Sequence, residues 1–195
     1  MTEALYDTHA FNCVSLILHD TLISLDLEMN QPSGKIIEIG AVAFSMNTGS
    51  EIGRFQSYVN PAEEINPEIQ LLCHVDQTQI DESPQLKDVY KSLCKWLNLY
   101  PERHRNPLTW GGGDSEVLRS QLSEDRDLWA FGRRWIDVKT VYLSWRMAYN
   151  QPSQGGLARS MRHLGLSFVG TKHMAADDAA NTARMYFALL ERIRK

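Results

Sequence analysis

The sequence predicts an α/β fold: a mixed sheet whose first three strands run antiparallel, flanked by helices. Two observations carry this. Three apolar runs come first, separated by short clusters of turn-forming residues, the pattern of consecutive hairpins. Amphipathic helical segments mixed with short apolar stretches follow, which puts helices on the faces of the sheet. The chain has 195 residues, 43% of them hydrophobic, enough to bury a full core in one domain.

Residues 1–20 are hard to place and are set apart as an N-terminal extension, leaving 21–195 as the domain. Residues 21–28 form the first predicted strand. Pro32-Ser33-Gly34 turns the chain into a second strand, Ile36 to Phe44. Asn47-Thr48-Gly49-Ser50 turns it into a third, Ile52 to Val59. Ser83 suits an N-cap with Pro84 at the first helical position. Leu86, Val89, Tyr90, Leu93 and Leu97 then share one helical stripe, and Lys87, Lys91 and Lys95 a solvated one. Pro107 to Trp110 is a short strand end, with Trp110 assigned to the core. Gly111-Gly112-Gly113 and Asp114 lead to a helix from about Ser115, marked by Val117, Leu118 and Leu122. Trp135 to Val138 is a short strand running into a helix through Met147. Asn150 to Gly156 is a loop, and Leu157 to Leu164 a short helix ending at Gly165. The last helix starts near Ala175, with Ala179, Ala183, Tyr186, Leu190 and Ile193 toward the core.

The net charge of −4 argues against a surface that grips nucleic acid all over, and leaves room for a local basic patch. Cys13, Cys73 and Cys94 are odd in number and lack CxxC spacing, which fits reduced structural thiols. No membrane partner is expected: the apolar run Cys13 to Leu18 is short and closed by His19-Asp20. Met1-Thr2-Glu3-Ala4 lacks the basic start of a signal peptide, so a cytoplasmic location is expected.

Chemistry enters at the first strand. In Leu25-Asp26-Leu27-Glu28-Met29, residues two apart share a face, so Asp26 and Glu28 stand side by side among apolar neighbours. Two unpaired carboxylates there would repel each other and lose hydration. A divalent cation, which oxygen ligands suit, resolves both costs. In the last helix, at 100° per residue, Asp178 lies roughly 100° from the centre of the apolar stripe and Asp177 roughly 160° away, toward solvent with Asn181 and Arg184. Asp178 is therefore the aspartate placed to look along the sheet toward Asp26 and Glu28, although two acids at a helix start also simply suit its dipole. His173, five residues earlier, could swing over the same site, and an imidazole changes charge close enough to neutrality for proton abstraction from water. Asp114 is either an ordinary N-cap or an acid reached through a glycine run that lets a phosphate or backbone come close.

Taken in order, these residues resemble the DEDDh 3′-5′ exonucleases, the superfamily of the polymerase proofreading subunit, ribonuclease T and oligoribonuclease. Leu25-Asp26-Leu27-Glu28-Met29 is similar to the first motif, Trp110-Gly111-Gly112-Gly113-Asp114 to the second, and His173-Met174-Ala175-Ala176-Asp177-Asp178-Ala179 to the third. Lys35 to Val42, Phe55 to Pro61, Ile80 to Pro84 and Asp177 to Arg184 resemble the branch that trims histone mRNA and small-RNA 3′ ends. The resemblance covers residues 21–194 and departs in two places: the triple glycine before Asp114, and Leu71-Leu72-Cys73-His74-Val75, where relatives carry a Leu-Thr-Gly-Ile-like wedge against the terminal bases.

The resemblance implies a ribonuclease H-like sheet and hydrolysis of single-stranded RNA or DNA from the 3′ end, RNA favoured, releasing nucleoside 5′-monophosphates. It implies two divalent ions roughly 4 Å apart, Mg2+ with Mn2+ able to substitute. Asp26 would bridge both ions. Glu28 and Asp178 would complete one site, Asp114 would help hold the second ion, and His173 would be the general base. Met29, Leu72, His74 and Val75 are the expected base contacts; Lys172, Arg159 and Arg162 are candidate phosphate contacts. Several relatives dimerise, so a homodimer is a further expectation without an identifiable surface. The rivals are a catalytically silent member of the fold that binds nucleic acid or protein, a DNA-directed exonuclease, and an endonucleolytic phosphohydrolase on the same fold.

Overall fold

The computed structural model describes residues 20–122, 129–152 and 155–194. The assignment of an N-terminal extension, with Cys13 and the run to Leu18, falls outside the described residues. Five strands form one sheet: β1 (Thr21–Met29), β2 (Ile36–Ser45), β3 (Glu51–Tyr58), β4 (Leu108–Thr109) and β5 (Ile136–Asp137). Their order is β3-β2-β1-β4-β5. β1, β2 and β3 are antiparallel neighbours, while β4 and β5 run parallel to β1. The sheet is thus mixed with an antiparallel start, as the turn spacing predicts.

Seven helices are described: α1 (Pro67–Leu72), α2 (Gln77–Asp81), α3 (Leu86–Leu97), α4 (Asp114–Gln121), α5 (Val138–Ala148), α6 (Leu157–His163) and α7 (Ala175–Ile193). α1 and α2 are too short to show a periodic pattern in sequence; Asn66 and Asp76 cap them by accepting the N–H groups of Glu68 and Gln79. The expected cap at Ser83 is corrected. Gln85 is the N-cap of α3, and Asn60 holds the preceding residues extended by donating its N–H to the Pro84 carbonyl at 2.9 Å. Ser83 instead donates its hydroxyl to the Gln79 carbonyl.

Strand alternation divides the core in two. Ile23, Leu25, Leu27, Ile39, Ala41 and Ala43 pack on one face with α3 and α4. Leu22, Val42 and Phe44 pack on the other with α5, α6 and α7. Asp26, Glu28, Glu38 and Gly40 share this second face by the same parity. Gly40 stands opposite Asp26, and a Cβ there would collide with the backbone of Ala175 and Ala176. That absent side chain lets the start of α7 lie on the sheet beside Asp26.

α7 is buried more widely than the predicted stripe. Ala179 and Ala183 face the core, but so do Asn181 and Thr182, whereas Ile193 is exposed. The helix lies between the sheet and α5 and α6, so most of its circumference is covered. Buried Asn181 exchanges two hydrogen bonds with the Val169 backbone, at 3.1 and 2.8 Å, tying down the loop that leads to His173.

Candidate active site

Asp26 and Glu28 lie near the end of β1, where the strand opens into a cavity of about 570 Å³. Asp178 and His173 line the same cavity. Ligand atoms of Glu28, His173 and Asp178 lie within 4.8 Å of one another, and His173 Nδ1 stands 3.9 Å from Glu28 Oε1. The His173 backbone has φ 61°, and its N–H donates to Asp178 Oδ2 at 2.7 Å. Asp177 faces elsewhere: it accepts from Arg54 Nη1 at 2.7 Å and from the Thr171 N–H at 2.8 Å. The helix phase thus separates the two aspartates as the sequence predicts, although Asp177 ends in an ion pair instead of open solvent.

Asp114 is not the N-cap of its helix. Gly113 holds that position at φ 155°, and Asp114 is the first helical residue, with no capping bond from Gly113. The glycine run is gripped from both sides: Asp137 Oδ1 accepts the Gly111 N–H at 3.0 Å, and Thr109 Oγ1 donates to the Gly111 carbonyl at 2.9 Å. Asp114 lies close enough for its charge to act on Asp26, although it is not among the residues lining the cavity. Burial raises Asp26 well above the usual carboxylate range, and repulsion from Asp114, Glu28, Asp178 and Glu38 raises it further. Burial, then the Asp178 charge, lifts Glu28 to about 7. Burial, then Asp137, lifts Asp114 to about 7. Burial raises Asp178 as well, opposed by the His173 N–H bond. Among the described residues, no lysine or arginine forms an ion pair with any of these four acids. A cluster whose proton affinity is raised by burial and repulsion, rich in oxygen donors and without an ion-paired lysine or arginine, suits hard divalent ions.

One participant was not singled out in the sequence. Glu38 stands opposite Glu28 in the β1–β2 register and is fully buried. It accepts from Gln56 Nε2 at 2.6 Å and from the Ala175 N–H, the first residue of α7, at 3.2 Å. Its signal was available: an acid inside the apolar run Ile36-Ile37-Glu38-Ile39, at a parity that faces Asp26 and Glu28. Trp110, expected in the core, is half-buried and lines the cavity.

The expected base contacts lie beside the cavity instead of lining it. Cys73 links them to it: its thiol donates to Glu28 Oε2 at 3.5 Å, and burial pushes that thiol up so that it stays a donor. Leu72 and His74 are exposed and Met29 half-buried. Val75 differs from expectation, since it is buried with Ile37, Ile65, Cys73 and Ile80 and offers no surface to a base. His74 sits at φ 54°, a left-handed conformation that side-chain-bearing residues rarely adopt.

Residues 23–186 match the family model described as Exonuclease, of the ribonuclease T type. The chain belongs to that exonuclease family. Mouse ERI1 exoribonuclease 2 is 27% identical over 89% of this chain and 29% of its own length. A probable 3′-5′ exonuclease of Bacillus subtilis, KapD, is 27% identical over 88% of this chain and 85% of its own length. This chain therefore spans under a third of the ERI1 exoribonuclease 2 relatives and most of the bacterial one. The nuclease domain of 3′hExo, a DEDDh family member solved bound to rAMP, superposes with a TM-score of 0.76 at 26% identity, over 89% of this chain and 92% of that one. The fold is the ribonuclease H-like exonuclease fold. Among the described residues, no helix is long and apolar enough to cross a membrane.

Proposed function

We propose that this protein is a metal-dependent 3′-5′ exonuclease that removes nucleoside 5′-monophosphates from single-stranded nucleic acid, with RNA favoured over DNA. One observation carries the reading: Asp26, Glu28, Asp178 and His173 line one cavity, the Asp114 charge acts on Asp26 from beside it, and among the described residues no lysine or arginine forms an ion pair with these acids. The relatives named exoribonucleases and the rAMP-bound neighbour support the substrate class. A neighbour of the same fold was solved in a Mg2+- and Mn2+-bound form.

In this reading the four carboxylates hold two divalent ions, Mg2+ or Mn2+. Bound there, the ions would activate a water and stabilise the attacking and leaving oxygens. His173 accepts the proton of the water at an imidazole nitrogen and, being 46% exposed, can pass it to solvent. Asp178 keeps His173 in place through its backbone N–H. Met29, Leu72 and His74 meet the terminal bases, and action in the cytoplasm belongs to the same reading.

The test is 5′-labelled single-stranded RNA and its DNA counterpart incubated with Mg2+ or Mn2+. A ladder of shortening products that vanishes in chelator is expected, faster on RNA. Discrete internal fragments would overturn the exonuclease reading in favour of an endonuclease, and binding without shortening would favour a silent member of the fold.

A further inference from the structure

The cavity has a second wall that the proposed chemistry does not use. Lys139 at the start of α5, Arg159 and Arg162 on α6, and Lys172 just before His173 line the same space as Asp26, Glu28 and Asp178. Arg159, Arg162 and Lys172 are exposed and Lys139 is half-buried. Among the described residues, none of the four forms an ion pair. In a chain of net charge −4, four cations without ion pairs lining one cavity make a local positive field beside its carboxylates. They cannot serve the metal ions, whose sign they share, and none forms an ion pair with a floor carboxylate, although the Lys172 charge acts on Asp178 from a distance. Their complement is an anion entering the cavity.

We propose that this wall binds the phosphodiester backbone of the substrate strand upstream of the nucleotide being removed. The inference rests on the exonuclease reading of the same site. In that reading a mononucleotide brings one phosphate, which the metal ions on the carboxylate floor would engage. Four further cations, contributed by α5, α6 and the loop before His173, match a row of phosphates. The arginine forks suit phosphate oxygens in a bidentate fashion. Trp110 and Phe168, which line the same cavity, offer ring faces on which any base can stack, so the wall reads chain and charge without reading sequence.

The experiment measures binding of a 5′-labelled oligouridylate of about twelve nucleotides by fluorescence anisotropy across a KCl series, for the wild type, the double variant Arg159→Gln/Arg162→Gln, and Lys95→Gln on the remote helix α3 as control. With each phosphate contact on a single strand contributing about 0.7 to the salt slope, the double variant should bind about tenfold more weakly and lose ~1.4 from the slope. Its affinity for uridine 5′-monophosphate should change far less, and Lys95→Gln should match the wild type. Wild-type affinity and slope in the double variant, or equal losses for oligomer and mononucleotide, would overturn the proposal, as would a wild type that fails to bind the oligomer. A wild type that binds with the expected slope yet shortens neither RNA nor DNA would overturn the exonuclease reading while leaving the backbone-binding wall in place.

Discussion

The backbone N–H of His173 donates to the Asp178 carboxylate at 2.7 Å, while the His173 side chain approaches Glu28 at 3.9 Å. One residue thus ties the last carboxylate to the loop and the loop to the first strand. In the proposed reading Asp178 has two duties, metal ligand and clamp on a left-handed turn, and these can be separated. Asp178→Asn retains a carbonyl that can accept the His173 N–H, so the fold should survive, with circular dichroism and melting temperature near wild type. Turnover should be abolished because a neutral amide is a poor ligand for a hard cation. Near-normal activity would remove Asp178 from the metal site.

His173→Ala should lower the rate by roughly 10²–10⁴-fold at neutral pH, the usual contribution of a positioned general base. Raising the pH should restore part of it, since hydroxide replaces the missing base. A pH–rate profile for the variant parallel to that of the wild type would exclude proton transfer by His173.

The carboxylate cluster also predicts how stability follows pH. Burial and mutual repulsion hold Glu28, Glu38 and Asp114 up at about 7. The same acids in the unfolded chain lose their protons near pH 4 to 4.5. Between these limits the folded state binds more protons, so stability falls as pH rises through the window and levels off above it. In chelator the melting temperature should drop by roughly 5–10 °C between pH 5 and 7.5. Added Mg2+ or Mn2+ should restore it, most strongly at the upper end, where the ligands are ionised. A chelated protein whose melting temperature is flat or rises over this range would contradict the arrangement.

Asp26→Asn follows from the same repulsion. It should abolish turnover, and in chelator at pH 8 it should melt no lower than the wild type, because it removes one of several like charges crowded around Asp26. A large loss of melting temperature would mean that Asp26 is held by partners other than the acids named here.

In the same reading Glu38 positions the start of α7, through the Ala175 N–H that it accepts. Glu38→Ala leaves the Ala175 N–H and the Gln56 amide without their acceptor, which should cost about 1–3 kcal/mol in urea unfolding. It should also lower kcat more than it raises KM, as the start of α7 shifts under His173 and Asp178. Glu38→Gln keeps an acceptor for Ala175 and should rescue most of both losses. Equal kcat in the alanine variant and the wild type would confine Glu38 to a structural role.

The local chain determined a good deal by itself. Alternation in β1 placed Asp26 and Glu28 on one face, and helical phase in α7 separated Asp178 from Asp177, because both periodicities are properties of the backbone. The turn clusters set the antiparallel order of β1, β2 and β3. What the sequence left open depends on contacts between distant segments. Asp114 is carried to the end of β1 by parallel pairing of β4 and by the Asp137 grip on Gly111. Glu38 reaches α7 across 137 residues. The start of α3 moved to Leu86 because Asn60 holds Pro84 and Gln85 extended. Val75 went inward because α1 and α2, too short to be periodic, close over it. The candidate carboxylates and His173 were readable from local pattern; their distances, their raised proton affinities and the cations that share their cavity came from long-range packing, which no window of neighbouring residues encodes.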